Sequence, residues 1–121
     1  VYSEQLRPNF RGDEDLIALS EIREYALQIA SRFNPEKIIL FGSYAQGQPD
    51  SESDVDLLVL MEFEGLPQDQ AYQIRRTLPR RFPLDLLVRH PRDVERRIQL
   101  GDFFLKEALE KGQVLHERTG A

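Results

Sequence analysis

At 121 residues the chain has room for one domain with one core, not for two sizeable ones. Its 40% hydrophobic and 31% charged content is that of an ordinary globular protein, and no apolar run approaches the roughly 20 residues of a membrane span. Cysteine is absent, which excludes disulfides and thiolate metal sites.

Residues 1–14 (VYSEQLRPNFRGDE) read as an N-terminal arm with no basic-then-apolar leader pattern, so a cytoplasmic protein is expected. Residues 15–121 read as the domain. A first helix is predicted from Asp13 or Asp15, as cap, to about Phe33. Ile22, Tyr25, Ala26, Ile29, Ala30 and Phe33 recur at helical spacing, and Asn34-Pro35 ends it. Lys37–Phe41 is the first predicted strand, followed by Gly42-Ser43, a short helical turn through Ala45, and a loop over 47–53 (GQPDSES).

A second strand is predicted over Asp54–Met61, its continuous apolar run that of a strand buried on both faces. Helices are predicted over Gln68–Leu78, across Val94–Ile98 after Pro91, and over Asp102–Glu110, where Asp102 is a cap and Gly112 a terminator. Phe103, Phe104, Leu105 and Leu109 are taken as core of that last helix. Pro83–Arg89 is the third strand, and Gln113–His116 a short edge strand. This order predicts an α/β (α+β) fold: a small mixed sheet of three to four strands, with helices mainly on one face.

Three acids carry the chemistry. Asp54 and Asp56, two positions apart on a strand, share a face at roughly 6–7 Å between Cα atoms, a spacing suited to two divalent cations about 3.5–4 Å apart. Acids at a loop–strand junction are often turn formers. Asp56, however, lies within the run Val55–Val59, where an unpartnered carboxylate is costly. Asp85 likewise interrupts Phe82–Val88, and a salt bridge to a nearby arginine is its alternative explanation. If the second and third strands are neighbours, the three carboxylates meet and require a cation or a raised pKa. Gly42 and Ser43, directly after a strand, suit phosphate: glycine admits a close backbone, and the next amides point outward. Ser53 either caps the loop or orients Asp54. His90 and His116 lack metal-ligand spacing and read as surface or capping residues.

Charge is uneven. Net charge is −5, yet eight arginines between Arg75 and Arg97 face only Asp85, Asp93 and Glu95. That segment suits a nucleotide, a nucleic acid or an acidic protein, or is simply two solvated helix faces.

Gly42-Ser43, ten residues, Asp54-x-Asp56 and a later Asp85 together resemble the DNA polymerase β-like nucleotidyltransferase superfamily, and the size resembles its minimal (MNT) branch, the antitoxin type found beside HEPN toxins. The resemblance implies two Mg²⁺ ions held by Asp54, Asp56 and Asp85. It also implies ATP or another nucleoside triphosphate gripped at Gly42, Ser43 and Ser53, with transfer of AMP to a hydroxyl of a HEPN-type toxin partner. It further implies help from a second copy or partner in completing the site, and no membrane. Non-catalytic binding of the toxin, or transfer to a small molecule such as an aminoglycoside, are the alternatives. The family often has a basic residue in the turn after Gly-Ser; this chain has Tyr44 and Gln46.

Overall fold

The computed structural model describes residues 16–119. The expected arm and a helix start at Asp13 or Asp15 lie outside them. Helix α1 spans Leu19–Phe33, strand β1 Lys37–Phe41, β2 Val55–Leu60, α2 Pro67–Thr77 and β3 Leu84–Arg89. Then come α3 over Pro91–Gln99, α4 over Phe103–Lys111 and β4 over Gln113–Glu117.

The four strands form one mixed sheet in the order β3-β2-β1-β4. β1 runs antiparallel to both β2 and β4, while β2 and β3 run parallel with α2 as the crossover between them. The inner strands are buried on both faces, which is why Ile38–Phe41 and Leu57–Leu60 read as unbroken apolar runs. β3 is an edge strand, and its burial alternates instead of running continuously.

Side-chain alternation divides the core in two. Ile38, Leu40, Val55, Leu57, Val59, Leu84, Leu86 and Val88 meet α1 and α2 through Ile22, Ile29 and Ile74. Ile39, Phe41, Leu58 and Leu60 meet α3 and α4 through Val94, Leu105 and Ala108. The longer pair of helices and the larger cluster thus share one face, as expected, but the shorter pair covers part of the other. Each fully buried Leu or Ile contributes about 1.5–3 kcal/mol, and a one-residue slip of β2 would turn the Asp56 carboxylate into the larger cluster.

Local signals set the helix ends. α1 starts at Leu19, later than expected, after an extended Ala18 with no side-chain cap. It ends where Asn34 turns left-handed (φ 49°) before Pro35. Pro67 and Pro91 open α2 and α3 at positions that need no amide hydrogen. Asp102 caps α4 as expected, its Oδ1 accepting from Leu105 N at 3.0 Å. Gly112 follows α4 but is extended (φ −78°), not left-handed. Glycine is required there by space: a Cβ would lie 2.6 Å from Ile39 Cγ2 and 2.8 Å from the Leu40 carbonyl.

One core expectation fails. Only Leu105 and Ala108 of α4 are buried; Phe103 is 80% and Phe104 56% exposed. A nine-residue helix on a sheet presents one narrow stripe inward, and consecutive phenylalanines cannot both lie on it.

Candidate active site

The register brings the acids together. Asp56 on β2 stands directly opposite Asp85 on β3, and also opposite Phe41 on β1. Adjacent strands lie about 4.8 Å apart, so the two carboxylates leave neighbouring backbones on the same face. Asp54 is not in β2 as expected, but precedes its first residue by one. Asp54 and Asp85 are exposed, and Asp56 is half-buried. The expectation of a buried Asp85 fails because β3 is an edge strand, whose outward positions reach solvent.

Burial, then the charges of Asp85 and Asp54, push the Asp56 carboxyl up to about 6. No lysine or arginine of the described residues pairs with Asp54, Asp56 or Asp85, so a salt bridge does not account for Asp85. The cluster is electrostatically unbalanced as it stands.

Gly42 completes this corner. It follows β1 at φ 78°, and a Cβ built on it would collide with Asp56 Oδ2. The backbone therefore passes against the carboxylate, which only glycine permits. Beyond it, Ala45 and Gln46 amides both donate to the Gly42 carbonyl, closing the short turn predicted after Ser43. Gln113 Nε2 on β4 donates to the Ala45 carbonyl at 2.8 Å and fastens that turn to the sheet.

Two residues of this stretch face elsewhere. The Tyr44 hydroxyl accepts from Ile17 N at 3.1 Å, and its ring packs on the larger core cluster. Of the two roles open to Ser53, the structure shows the loop cap: its Oγ accepts from Asp50 N at 3.0 Å and donates to Asp50 Oδ1 at 3.2 Å. His90 stacks on Phe63 at 3.9 Å, with Nδ1 3.2 Å from Glu62 Oε1, a surface role as expected.

Sequence reasoning missed the other wall. A cavity of about 180 Å³ is lined by Gly42, Gln46 and Asp56 on one side and Phe104, Glu107, Lys111 and Gly112 on the other. Phe104 meets Phe41 edge-on at 5.6 Å, and Lys111 pairs with Glu107 at 3.1 Å. A lysine in the last turn of a helix is unremarkable in sequence; only the return of α4 over β1 brings it to the acids.

Residues 20–120 match the family described as "Polymerase beta, Nucleotidyltransferase". The chain belongs to that family. Over 27 residues this nucleotidyltransferase-family chain is 59% identical to "Putative protein adenylyltransferase MJ0141" of Methanocaldococcus jannaschii, a stretch covering 22% of the chain and 27% of that relative's length. The fold is shared with a protein of Sulfolobus solfataricus described as a "putative nucleotidyltransferase" (22% identity, TM-score 0.61), over 88% of this chain and 86% of that one. It is also shared with a chain of a toxin–antitoxin complex determined with AMP-PNP (20% identity, TM-score 0.51), over 80% of this chain and 74% of that one.

The donor set suits a hard cation, being oxygen only. Among the described residues no three acidic or imidazole groups form a ready-made metal cage. Mg²⁺ does not ask for one, since it keeps waters and substrate phosphates beside one or two carboxylates. No helix of the described residues is long and apolar enough to cross a membrane.

Proposed function

We propose that the chain is a Mg²⁺-dependent nucleotidyltransferase that moves a nucleoside monophosphate, AMP from ATP, to a hydroxyl of a partner protein. The observation that carries this reading is the pairing of Asp56 with Asp85 on parallel neighbours, with the Gly42 backbone against the Asp56 carboxylate. Asp54, Asp56 and Asp85 would hold two Mg²⁺ ions, which supply charge neutralisation at the triphosphate and a lowered pKa at the attacking oxygen. Gly42 and Ser43 present backbone amides to the β- and γ-phosphates, and Lys111 adds a cation from α4. The acceptor oxygen bonds to the α-phosphorus, the bond from that phosphorus to the bridging oxygen breaks, and pyrophosphate leaves. Asp85, exposed on the edge strand, takes the hydroxyl proton. Ser53 is left out, because its hydroxyl serves the loop.

The similarity to an adenylyltransferase stretch and to a toxin–antitoxin fold supports a toxin as acceptor, and the resemblance of the Gly42-Ser43 and Asp54-x-Asp56 pattern to the minimal branch supports the HEPN type. With α-labelled ATP and Mg²⁺, the chain should label a HEPN-type protein encoded beside it, while γ-label stays in pyrophosphate. Asp54→Asn and Asp56→Asn should each lower transfer by about a thousandfold or more. Normal labelling by both variants would remove the assignment.

A second reading is favoured by Tyr44, whose hydroxyl is committed to Ile17 N where relatives often place a basic residue. On that reading the domain silences its partner by binding alone. Neutralisation without ATP that survives Asp54→Asn would establish it.

A further inference from the structure

A second, larger cavity than the one beside Asp56 lies along the outer edge of the sheet. A groove of about 520 Å³ follows the outer edge of β3, with Ala71, Tyr72 and Arg75 of α2 on one bank and Asp93 and Arg97 of α3 on the other. Leu86–Arg89 form its floor.

The floor is an unpaired strand edge. Pro83 and Arg89 carbonyls accept from Val55 N and Met61 N, so they and the alternate residues Asp85 and Leu87 turn their backbone toward β2. Leu84, Leu86 and Val88 therefore turn theirs outward. Arg75 donates to the Leu84 carbonyl at 3.2 Å and Arg89 to the Val88 carbonyl at 2.8 Å, both side-chain contacts that an incoming strand can replace. Leu86 N–H and C=O have no partner among the described residues. Such an edge invites strand addition unless it is covered or repelled.

Charge chooses the occupant. Arg75, Arg89 and Arg97 surround the edge against one acid, Asp93, which is itself 3.4 Å from Arg96. A second copy adding edge to edge would set these arginines against their own images. Nucleic acid phosphates would answer the charge and accept from the outward amides, but they carry no donor for the outward carbonyls of Leu84, Leu86 and Val88, nor do they match the bank of Ala71 and the 63% exposed Tyr72. We infer that the β3 groove docks an extended, acidic segment of a partner protein by strand addition. Asp85 lies on the same strand, and a residue paired opposite it projects onto the face of Asp56. Resting on the transferase reading, the groove then explains how a hydroxyl reaches the acids: a segment docked parallel to β3 carries it there, with acidic residues two and four positions along standing opposite Leu87 and Arg89.

The probe is a fluorescein-labelled eight-residue peptide, tyrosine followed by alternating valine and glutamate, titrated by anisotropy into the full chain. Saturable binding is expected, weakened about tenfold or more by Arg97→Glu, by lysine in place of glutamate, and by N-methylation of alternate peptide amides. Asp54→Asn should change the affinity less than twofold. No binding at millimolar peptide overturns the inference, as does equal binding of the N-methylated peptide. Displacement by oligo-dT with no such amide dependence assigns the groove to nucleic acid, and self-association lost in Arg97→Glu assigns it to a second copy. Amide-dependent docking without any AMP transfer keeps this inference and removes the transferase reading. Transfer to a protein with an acceptor KM unchanged in Arg97→Glu does the reverse.

Discussion

At the start of β3, Asp85 stands beside Asp56 and near Asp54 with no described lysine or arginine paired to any of them; toward its end, Arg89 stands with Arg97 on an open strand edge, while Arg75 reaches that edge from α2 at Leu84. The two regions share a strand and differ in what they lack. The acidic corner has donors fixed by a sheet register and no described lysine or arginine paired to them, since Lys111 at its wall pairs with Glu107, so its ligand must bring cations. The groove has positive charge and unpaired backbone, so its ligand must bring carboxylates and a strand. Rigid placement belongs to the first region and tolerance of varied side chains to the second, as expected of a reaction centre and a docking edge.

Gly42→Ala gives the largest contrast. The added Cβ collides with the Asp56 carboxylate and moves it, and an ångström of misplacement costs about 100-fold in rate. The positive φ adds about 1 kcal/mol of instability. Gly47→Ala is the control: Gly47 has φ 74°, but nothing lies within 4 Å of its built Cβ. Both variants should lose similar stability by denaturant melts, while only Gly42→Ala loses transfer. Peptide docking in the groove should be untouched by either. Equal transfer by the two would mean that Asp56 does not need its place.

Asp56 and Asp85 were legible because each breaks an apolar run, and Gly42 because it directly follows one. Their meeting was legible only as a condition, since no local pattern says that the second and third strands are neighbours. Asp85 was expected to be buried because the run Phe82–Val88 looks alike on an edge or a central strand; only the sheet order separates them. Phe103 and Phe104 were misplaced for a similar reason, as hydrophobicity does not say which stripe of a short helix meets the sheet. The arginine cluster was visible, but not its division. Arg75, Arg89 and Arg97 line one groove, whereas Arg76, Arg80 and Arg81 are exposed away from it.

Lys111→Ala sharpens the comparison at the nucleotide. Lys111 lines the cavity beside Gly42 and Asp56 and is the cation that the turn after Gly42 does not supply. On the proposed nucleotide site, removing this exposed cation should raise the KM for ATP about fivefold, with kcat and acceptor KM nearly unchanged. Its exposed pairing with Glu107 predicts little change in stability. An unchanged KM for ATP would move triphosphate recognition off α4.

The smallest effect is a pH dependence confined to the acidic corner. The folded Asp56 carboxyl sits at about 6, above its unfolded value of 3.8, so folding favours the protonated form. Its contribution is therefore fully present below about pH 4 and lost as pH rises through about 6. With solvent screening of a half-buried group, the loss is on the order of 1 kcal/mol, about 4 °C in Tm for a chain of this size. Melts of metal-free protein from pH 4.5 to 7.5 should show that decline relative to Asp56→Asn, whose amide does not titrate. Mg²⁺ with a non-hydrolysable ATP analogue should restore the wild-type Tm at the upper pH and leave the variant unmoved. An identical pH slope in both proteins would mean that neither burial nor the neighbouring acids raise the Asp56 carboxyl, and a cation would then have no such penalty to relieve.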